Sequence, residues 1–228
     1  MKQKLYLGIL AISITLMSCG KGSGKNGNKS NNITIDLSLY SKIALTDEQK
    51  YSLAYMWNEE KLAKELYLEL NSIYPTKQLS NIANNSEIKH IEYVQNLVQW
   101  YDINISDIPD YEIRYSADEL NSIPIGEFNV QEVQELYDIL YSKGEISQRD
   151  SLEVGCMVEV TDVVDLNEYI SIANSNQALL DTFYLLRDGS YNHYWAFDKG
   201  LKDIGVYDGC CSLGTQYCHT EYPQNNNK

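Results

Sequence analysis

Apolar residues recur every three to four positions in four long segments of the chain, a pattern typical of amphipathic α-helices. The first predicted helix begins at Thr46, because Thr46 and Gln49 have the spacing of a capping box, and it ends before Pro75. The second covers residues 79–101. The whole chain contains only 4 Pro, so long uninterrupted helices are permitted. These two helices are expected to form an antiparallel hairpin.

A second hairpin is predicted from residues 147–172 and 176–204, each of which opens with a capping residue. Between the hairpins lies a long connection that ends in a shorter helix over residues 129–143. Two hairpins joined by one long crossover are typical of ferritin-like bundles. The sequence therefore predicts an all-α domain over residues 45–205. We expect a ferritin-like four-helix bundle whose crossover, between the second and third long helices, carries a short extra helix.

Acids and imidazoles interrupt the apolar stripes that should face the bundle core. The first helix carries Glu60, the second Glu87 and His90, the third Glu159 and the fourth His193. Ferritin-like bundles hold two metal ions with one Glu from each of two helices and a Glu-x-x-His pair from each of the others. Buried carboxylates are costly unless they are paired or bind a cation. The pattern predicts a metal centre, with two iron ions as the main interpretation.

The fourth helix departs from this ligand pattern, since Ser190-x-x-His193 replaces Glu-x-x-His. Asp162 lies three residues after Glu159 and can share its helix face, so it is a further candidate ligand. Manganese, or a single ion, remains an alternative to two iron ions. The competing interpretation is a polar network that fills an inert bundle.

Other acids and one cysteine are expected to take no part in the centre. Glu59 lies one position off the Glu60 stripe and is predicted to lie at the rim of the core or be solvated. Glu153 and Asp165 are predicted to be ordinary surface charges. Cys156 is expected to be a small core residue that allows close helix approach.

Several short motifs together resemble an uncharacterised ferritin-like family, a domain of unknown function distantly similar to rubrerythrin. The motifs are Glu60-Lys61-Leu62-Ala63 with Tyr67, Asn81-Ile82-Ala83 with Ser86-Glu87-x-x-His90, Gly126-x-Phe128, Leu136-Tyr137-Asp138, Val154-Gly155 with Glu159-x-x-Asp162, and Gly189-Ser190-x-Asn192-His193 with Ala196-Phe197. The resemblance covers nearly all of residues 45–205. It implies a di-metal carboxylate site.

The N-terminus has the layout of an export signal. Lysines and an apolar run too short to span a bilayer permanently fill residues 1–18, and Leu16-Met17-Ser18-Cys19 resembles a bacterial lipobox. Cys19 is therefore predicted to be lipidated, and residues 19–44 to hold a flexible linker. We expect a protein of the bacterial cell envelope, anchored to a membrane and facing the periplasm or the exterior. A net charge of −14 argues against nucleic acid as a partner.

The tail, residues 206–228, contains Cys210, Cys211, Cys218 and His219. In an oxidising compartment we expect a disulfide from Cys210 or Cys211 to Cys218, with the remaining thiol free or paired between chains. A small metal site of thiolates and His219 is the alternative.

Two classes of function remain open. A di-iron centre predicts oxidation of ferrous iron or reduction of peroxide. The sequence lacks a rubredoxin-like pair of C-x-x-C motifs, so turnover would need an external electron donor. The alternative is a non-enzymatic envelope protein that binds metal or a partner. A serine or cysteine hydrolase is disfavoured, since no nucleophile motif follows a predicted strand.

Overall fold

The chain is all-α wherever its structure is described. The computed structural model describes residues 35–103, 122–128 and 130–224, which contain six α-helices and no β-strand. This confirms the all-α part of the predicted fold class. The signal segment, Cys19 and the middle of the crossover fall outside the described residues. Among the described helices, none is both long enough and apolar enough to cross a bilayer.

Helix α1 (Asp47–Ile73) begins at the predicted capping box. Oγ1 of Thr46 accepts a hydrogen bond from the Gln49 amide at 3.3 Å, and Oε1 of Gln49 accepts from the Thr46 amide at 3.1 Å. Each contact satisfies an amide that the first helical turn leaves free. The helix is 27 residues long and therefore runs the length of the core.

The second long segment is helical throughout but not uniform. It consists of α2 (Lys77–Ile82), a π-helical turn (Ala83–Glu87) and α3 (Ile88–Tyr101). Backbone angles at the two junctions stay right-handed helical, so the three pieces form one continuous segment. It ends at Asp102, which adopts the left-handed conformation common at helix C-termini.

Three helices follow the crossover: α4 (Gln131–Gly144), α5 (Gln148–Ala173) and α6 (Gln177–Asp203). The caps of α5 and α6 are as predicted, because Ser147 accepts from the Asp150 amide and Asn176 from the Leu179 amide. Helix α4 starts differently. Its N-cap position is Val130, and no side-chain cap bond occurs there among the described residues. The helix predicted over residues 129–143 therefore begins two residues later than expected.

The four long segments pack as a closed ring. Helix α1 contacts α3 on one side and α5 on the other, while α6 contacts α5 and the second segment. Helix α4 lies outside the ring against α1 and α5. The largest fully buried side chains come from α1 and α6; they include Trp57, Tyr67, Phe183, Tyr194 and Phe197. Each such burial contributes about 1.5–3 kcal/mol. The ring therefore encloses a well-packed core that can fix the positions of buried polar side chains.

Glu153 of α5 pairs with Lys143 of α4, which joins the two helices, and with Arg149 of its own helix. The Lys143 ammonium lies 2.7 Å from Oε2 of Glu153, and Nε of Arg149 lies 2.7 Å from Oε1. The side chain of Glu153 is only 7% exposed. Its expected role as an ordinary surface charge is wrong, because the docking of α4 buries a position that would face water on an isolated hairpin.

Two disulfides tie the C-terminal tail to the helices and to itself. Cys211 pairs with Cys218, which is one of the two expected pairings. Cys210 pairs with Cys156 of α5, so it is neither free nor shared with another chain. Cys156 is buried as expected, but its predicted role as a lone small core residue is wrong. The tail folds back along α6, where Oη of Tyr194 donates to the Tyr217 carbonyl at 2.9 Å.

Candidate metal centre

The first group of converging ligand atoms joins α1 to the second helical segment. Nδ1 of His90 lies 3.0 Å from Oε2 of Glu60 and 2.9 Å from Oε2 of Glu87. Glu87 and His90 are three residues apart, so they share one face of the helix. All three side chains are buried, and their atoms are close enough together to hold one ion.

The second group joins the same segment to α5 and α6. Nδ1 of His193 lies 3.0 Å from Oε1 of Glu87 and 3.3 Å from Oε2 of Glu159. Glu87 thus presents one oxygen to each histidine and belongs to both groups. The imidazole rings of His90 and His193 stack with their centroids 5.4 Å apart. Five of the six residues predicted as metal ligands are therefore brought together directly.

The separations resemble those between two atoms bound to one ion. At bond lengths of about 2.1 Å, ligand atoms lie about 3.0 Å apart at right angles and about 3.4 Å apart at the tetrahedral angle. Nδ1 of His193 and Oε1 of Glu60 are buried without a hydrogen-bond partner within the described part of the chain. The converging side chains therefore leave two of their polar atoms unsatisfied, although Nδ1 of His90 is within hydrogen-bond distance of Oε2 of Glu60. Carboxylate and imidazole ligands suit iron and manganese, so the residues fit the predicted metal centre.

Tyr67 and Ser86 support the ligand side chains from outside. Oη of Tyr67 donates to Oε1 of Glu159 at 2.6 Å, which leaves Oε2 facing His193. Nε2 of His193 lies 2.7 Å from Oγ of Ser86, so its opposite nitrogen, Nδ1, faces the carboxylates. Partners of this kind fix ring orientation and tautomer at metal sites.

Glycine at position 189 makes room for the other imidazole. A Cβ atom on Gly189 would lie 2.5 Å from Nε2 of His90, closer than real Cβ contacts come. Helix α6 can therefore approach α3 closely only without a side chain there. The missing side chain at position 189 leaves room for the His90 imidazole, whose Nδ1 faces Glu60 and Glu87.

The π-helical turn is a feature that the periodicity did not predict. It ends at Glu87, and it places Ser86 and Glu87 together against His193. The side chains of Asn84 and Asn85 donate to carbonyls four residues earlier, at 2.8 and 3.0 Å. Such side-chain bonds compete with the regular helix ladder. The run Asn84-Asn85-Ser86 was the available signal, and π-helical turns frequently mark functional sites.

Asp162, the sixth predicted ligand, lies three residues after Glu159 on α5 but belongs to neither group and is hydrogen-bonded to Ser190. Its Oδ2 is in hydrogen-bond contact with Oγ of Ser190. Its Oδ1 is buried and finds no hydrogen-bond partner among the residues that the structure describes. Asp162 is only 5% exposed.

Like charges and imidazoles shift the ionisation of the whole cluster. Burial acts to raise the pKa of Glu87, but His193 and His90 outweigh it and lower that pKa. Burial raises the pKa of Glu60 to about 7, although His90 opposes the shift. For His193, burial acts to lower the pKa, but Glu87 and Glu159 raise it to about 10. Protons on the imidazoles thus balance the excess negative charge of the carboxylates. A bound cation would take over this role.

Glu59 is buried, so the expectation that it lies at the rim of the core or is solvated is wrong. Only 3% of the residue is exposed, and neither carboxylate oxygen has a hydrogen-bond donor within the described ranges. Burial and the nearby Asp165 raise the pKa of Glu59 well above its usual range. Burial also raises the pKa of Asp165 to about 6, so Asp165 is not an ordinary surface charge either. The packing of α1 against α5 pairs these two acids behind the centre.

Comparison with known proteins places this arrangement in a family. Residues 49–218 match the family model described as Uncharacterized protein domain (DUF2202). The chain belongs to this family. The matched region contains every residue of the two converging groups and extends through the tail to Cys218. The resemblance to a domain of unknown function noted in the sequence is thereby confirmed.

A protein similar to this chain comes from Methanocaldococcus jannaschii. The uncharacterized protein MJ0754 of Methanocaldococcus jannaschii is 32% identical over 169 residues, which are 74% of this chain and 83% of the relative. The crystal structure of hypothetical protein MJ0754 superposes with a TM-score of 0.62 at 33% identity. The superposition covers 72% of this chain and 86% of that one.

Proposed function

We propose that this DUF2202 protein is a ferritin-like metalloprotein that holds two metal ions, iron by preference, within a four-helix bundle. The observation that carries the proposal is the double use of Glu87. One buried carboxylate reaches both Nδ1 of His90 and Nδ1 of His193, at 2.9 and 3.0 Å. Two ions that share a carboxylate explain this placement, whereas a single ion leaves one histidine without a role.

The two positions would be held by different helices. Glu60 and His90 would hold one ion and Glu159 and His193 the other, with Glu87 shared between them. Two bound ferrous ions can supply two electrons to dioxygen or peroxide, which is the chemistry expected of ferroxidases and peroxidases. Manganese at the same ligands is the alternative.

The residues around the proposed ions would exclude water and keep the Tyr67 hydroxyl protonated. The ligand residues are between 1% and 6% exposed, so charges interact strongly there and bulk water is kept out. Burial, together with the carboxylate of Glu159, raises the pKa of Tyr67 well above its usual range. Tyr67 therefore keeps its proton on Oη and donates it as a hydrogen bond to Glu159 throughout the physiological range.

We also propose that the bundle is tethered to a membrane of the cell envelope through lipidated Cys19. The two disulfides of the described chain support an oxidising compartment. An external electron donor would complete turnover, because the sequence carries no C-x-x-C pair for that purpose. Should metal bind without turnover, the alternative function is non-enzymatic metal binding on a tethered bundle.

Metal content tests the proposal. The protein, purified without a metal-affinity tag, is loaded anaerobically with ferrous iron, and bound iron per chain is counted before hydrogen peroxide is added. We expect two ions per chain and peroxide-dependent oxidation of the bound iron. Glu87→Ala should lose both, while Glu168→Gln, an exposed change of equal charge on α5, should keep both. A parent protein that binds no iron, or a Glu87→Ala variant that reacts as fast as the parent, would contradict the proposal.

A further inference from the structure

Helix α6 offers a serine where the ligand pattern calls for a glutamate. Nδ1 of His193 lies close to Glu87 and Glu159. Ser190, three residues earlier on the same face, carries no carboxylate that could serve as a ligand. Ser190 is fully buried, and its hydroxyl contacts Oδ2 of Asp162 on α5. The neighbouring helix thus brings a carboxylate to the place where α6 lacks one.

The free oxygen of Asp162 needs a partner that the described residues do not supply. Ser190 contacts one oxygen only, and Oδ1 remains buried and unbonded within the described chain. Glu159, a member of the second converging group, lies three residues before Asp162 and can share its face of α5. Oε1 of Glu60 is likewise buried and lacks a partner among the described side chains. Buried carboxylate oxygens without a donor are costly unless a cation neutralises them.

A proton on Asp162 does not remove this cost. Neutral Asp162 could donate through Oδ2 to Ser190, whose hydroxyl could then donate to the Leu186 carbonyl 3.1 Å away. Oδ1 would still lack a donor within the described ranges. A purely structural hydrogen bond between the two helices therefore leaves the burial of Oδ1 unexplained.

We propose that Asp162 is the fourth carboxylate of the metal centre, supplied by α5 in place of a glutamate on α6, and that Ser190 orients its Oδ1 toward the ions. This inference rests on the proposed two-ion function. Charge supports it: Glu60, Glu87 and Glu159 carry three negative charges when ionised, and Asp162 brings the number to four. Four carboxylates neutralise two divalent cations, so the buried centre carries no net charge.

Metal titration with matched variants tests the inference. Mn²⁺ is added anaerobically, and free Mn²⁺ is counted by its electron paramagnetic resonance signal, a readout that needs no turnover. The parent should bind two ions. Asp162→Asn should bind the second ion on the order of 100-fold more weakly. Glu168→Gln, with the same charge change on the same helix, should bind two ions as the parent does.

Two further variants make the test independent of any single substitution. Ser190→Ala should weaken the binding of the second ion about tenfold, because Asp162 loses the group that orients it. The double variant Asp162→Ser with Ser190→Glu moves the carboxylate to α6 and should restore the second ion.

The outcomes separate this inference from the proposed function. A parent that binds fewer than two Mn²⁺ ions contradicts the two-ion function itself. A parent with two ions and an Asp162→Asn variant with unchanged affinity for both overturns only the role of Asp162. If Asp162→Asn does not fold by circular dichroism, unchanged affinity in Ser190→Ala overturns the inference instead.

Discussion

The hydroxyl of Tyr67 donates a 2.6 Å hydrogen bond to Oε1 of Glu159, across the interface between α1 and α5. Both side chains are buried. The bond fixes which oxygen of Glu159 faces His193, so the orientation of a ligand on one helix depends on a residue of another.

Removal of the Tyr67 hydroxyl should affect the metal position that contains Glu159. Tyr67→Phe should weaken the binding of one of two Mn²⁺ ions about tenfold, because Glu159 loses the partner that orients it. It should also lower the free energy of unfolding by about 1–3 kcal/mol, since a buried carboxylate loses its donor. Mn²⁺ titration and urea denaturation measure the two effects. Equal affinity for both ions in the variant and the parent would show that Tyr67 does not support the centre.

A methyl group at position 189 should disturb the other metal position. Gly189→Ala places Cβ 2.5 Å from Nε2 of His90, so the imidazole or helix α6 must move. We expect weaker binding of the ion assigned to Glu60 and His90, with the helical content unchanged by circular dichroism. Asn192→Ala, an exposed change on the same helix, is the control and should bind metal normally. Normal binding in both variants would mean that the close approach at Gly189 does not orient His90.

Loss of the disulfide between Cys156 and Cys210 should lower the stability more than loss of the one between Cys211 and Cys218. It joins residues 54 apart in sequence, whereas Cys211 and Cys218 are 7 apart. Loop-closure entropy predicts a loss of about 4 kcal/mol when the longer loop is opened and about 2.5 kcal/mol for the shorter. Replacement of both Cys156 and Cys210 by Ser should therefore lower the melting temperature by on the order of 10 °C.

Peptide mapping without reduction checks the pairing directly. The expected cross-linked peptides contain Cys156 with Cys210 and Cys211 with Cys218. A peptide that joins Cys210 to Cys218, or a free thiol at Cys156, would refute the predicted pairing.

Metal loading should release protons and strengthen as pH rises. In the metal-free protein, Glu87 and Glu159 overcome burial and raise the pKa of His193 to about 10, and burial raises the pKa of Glu60 to about 7. A ligand nitrogen must lose its proton before it binds an ion. The apparent affinity should therefore increase from pH 6 toward pH 9 and fall on acidification, as protons compete for the ligands.

Isothermal titration calorimetry in buffers of different ionisation enthalpy counts the released protons. We expect at least one proton per chain at pH 7.5. Proton release of zero, with an affinity that does not change with pH, would contradict the raised pKa of His193.

Local patterns in the sequence determined the helices and the kinds of side chain they carry. The capping residues Thr46, Ser147 and Asn176 mark helix starts because a cap acts within one turn. The spacing of Glu87 and His90 puts both on one face because helical periodicity is a property of three or four residues. All-α structure and the residues of the two converging groups were therefore predictable without knowledge of the packing.

Only the tertiary structure decided which of these side chains meet. The pairing of Cys156 with Cys210, the burial of Glu59 against Asp165 and the contact of Ser190 with Asp162 all join residues that are distant in the sequence. Such contacts depend on how helices rotate and approach, which is set by the packing of whole faces rather than by local periodicity. The double use of Glu87 belongs to this class too, because α6 must bring His193 to a carboxylate that lies on the second helical segment.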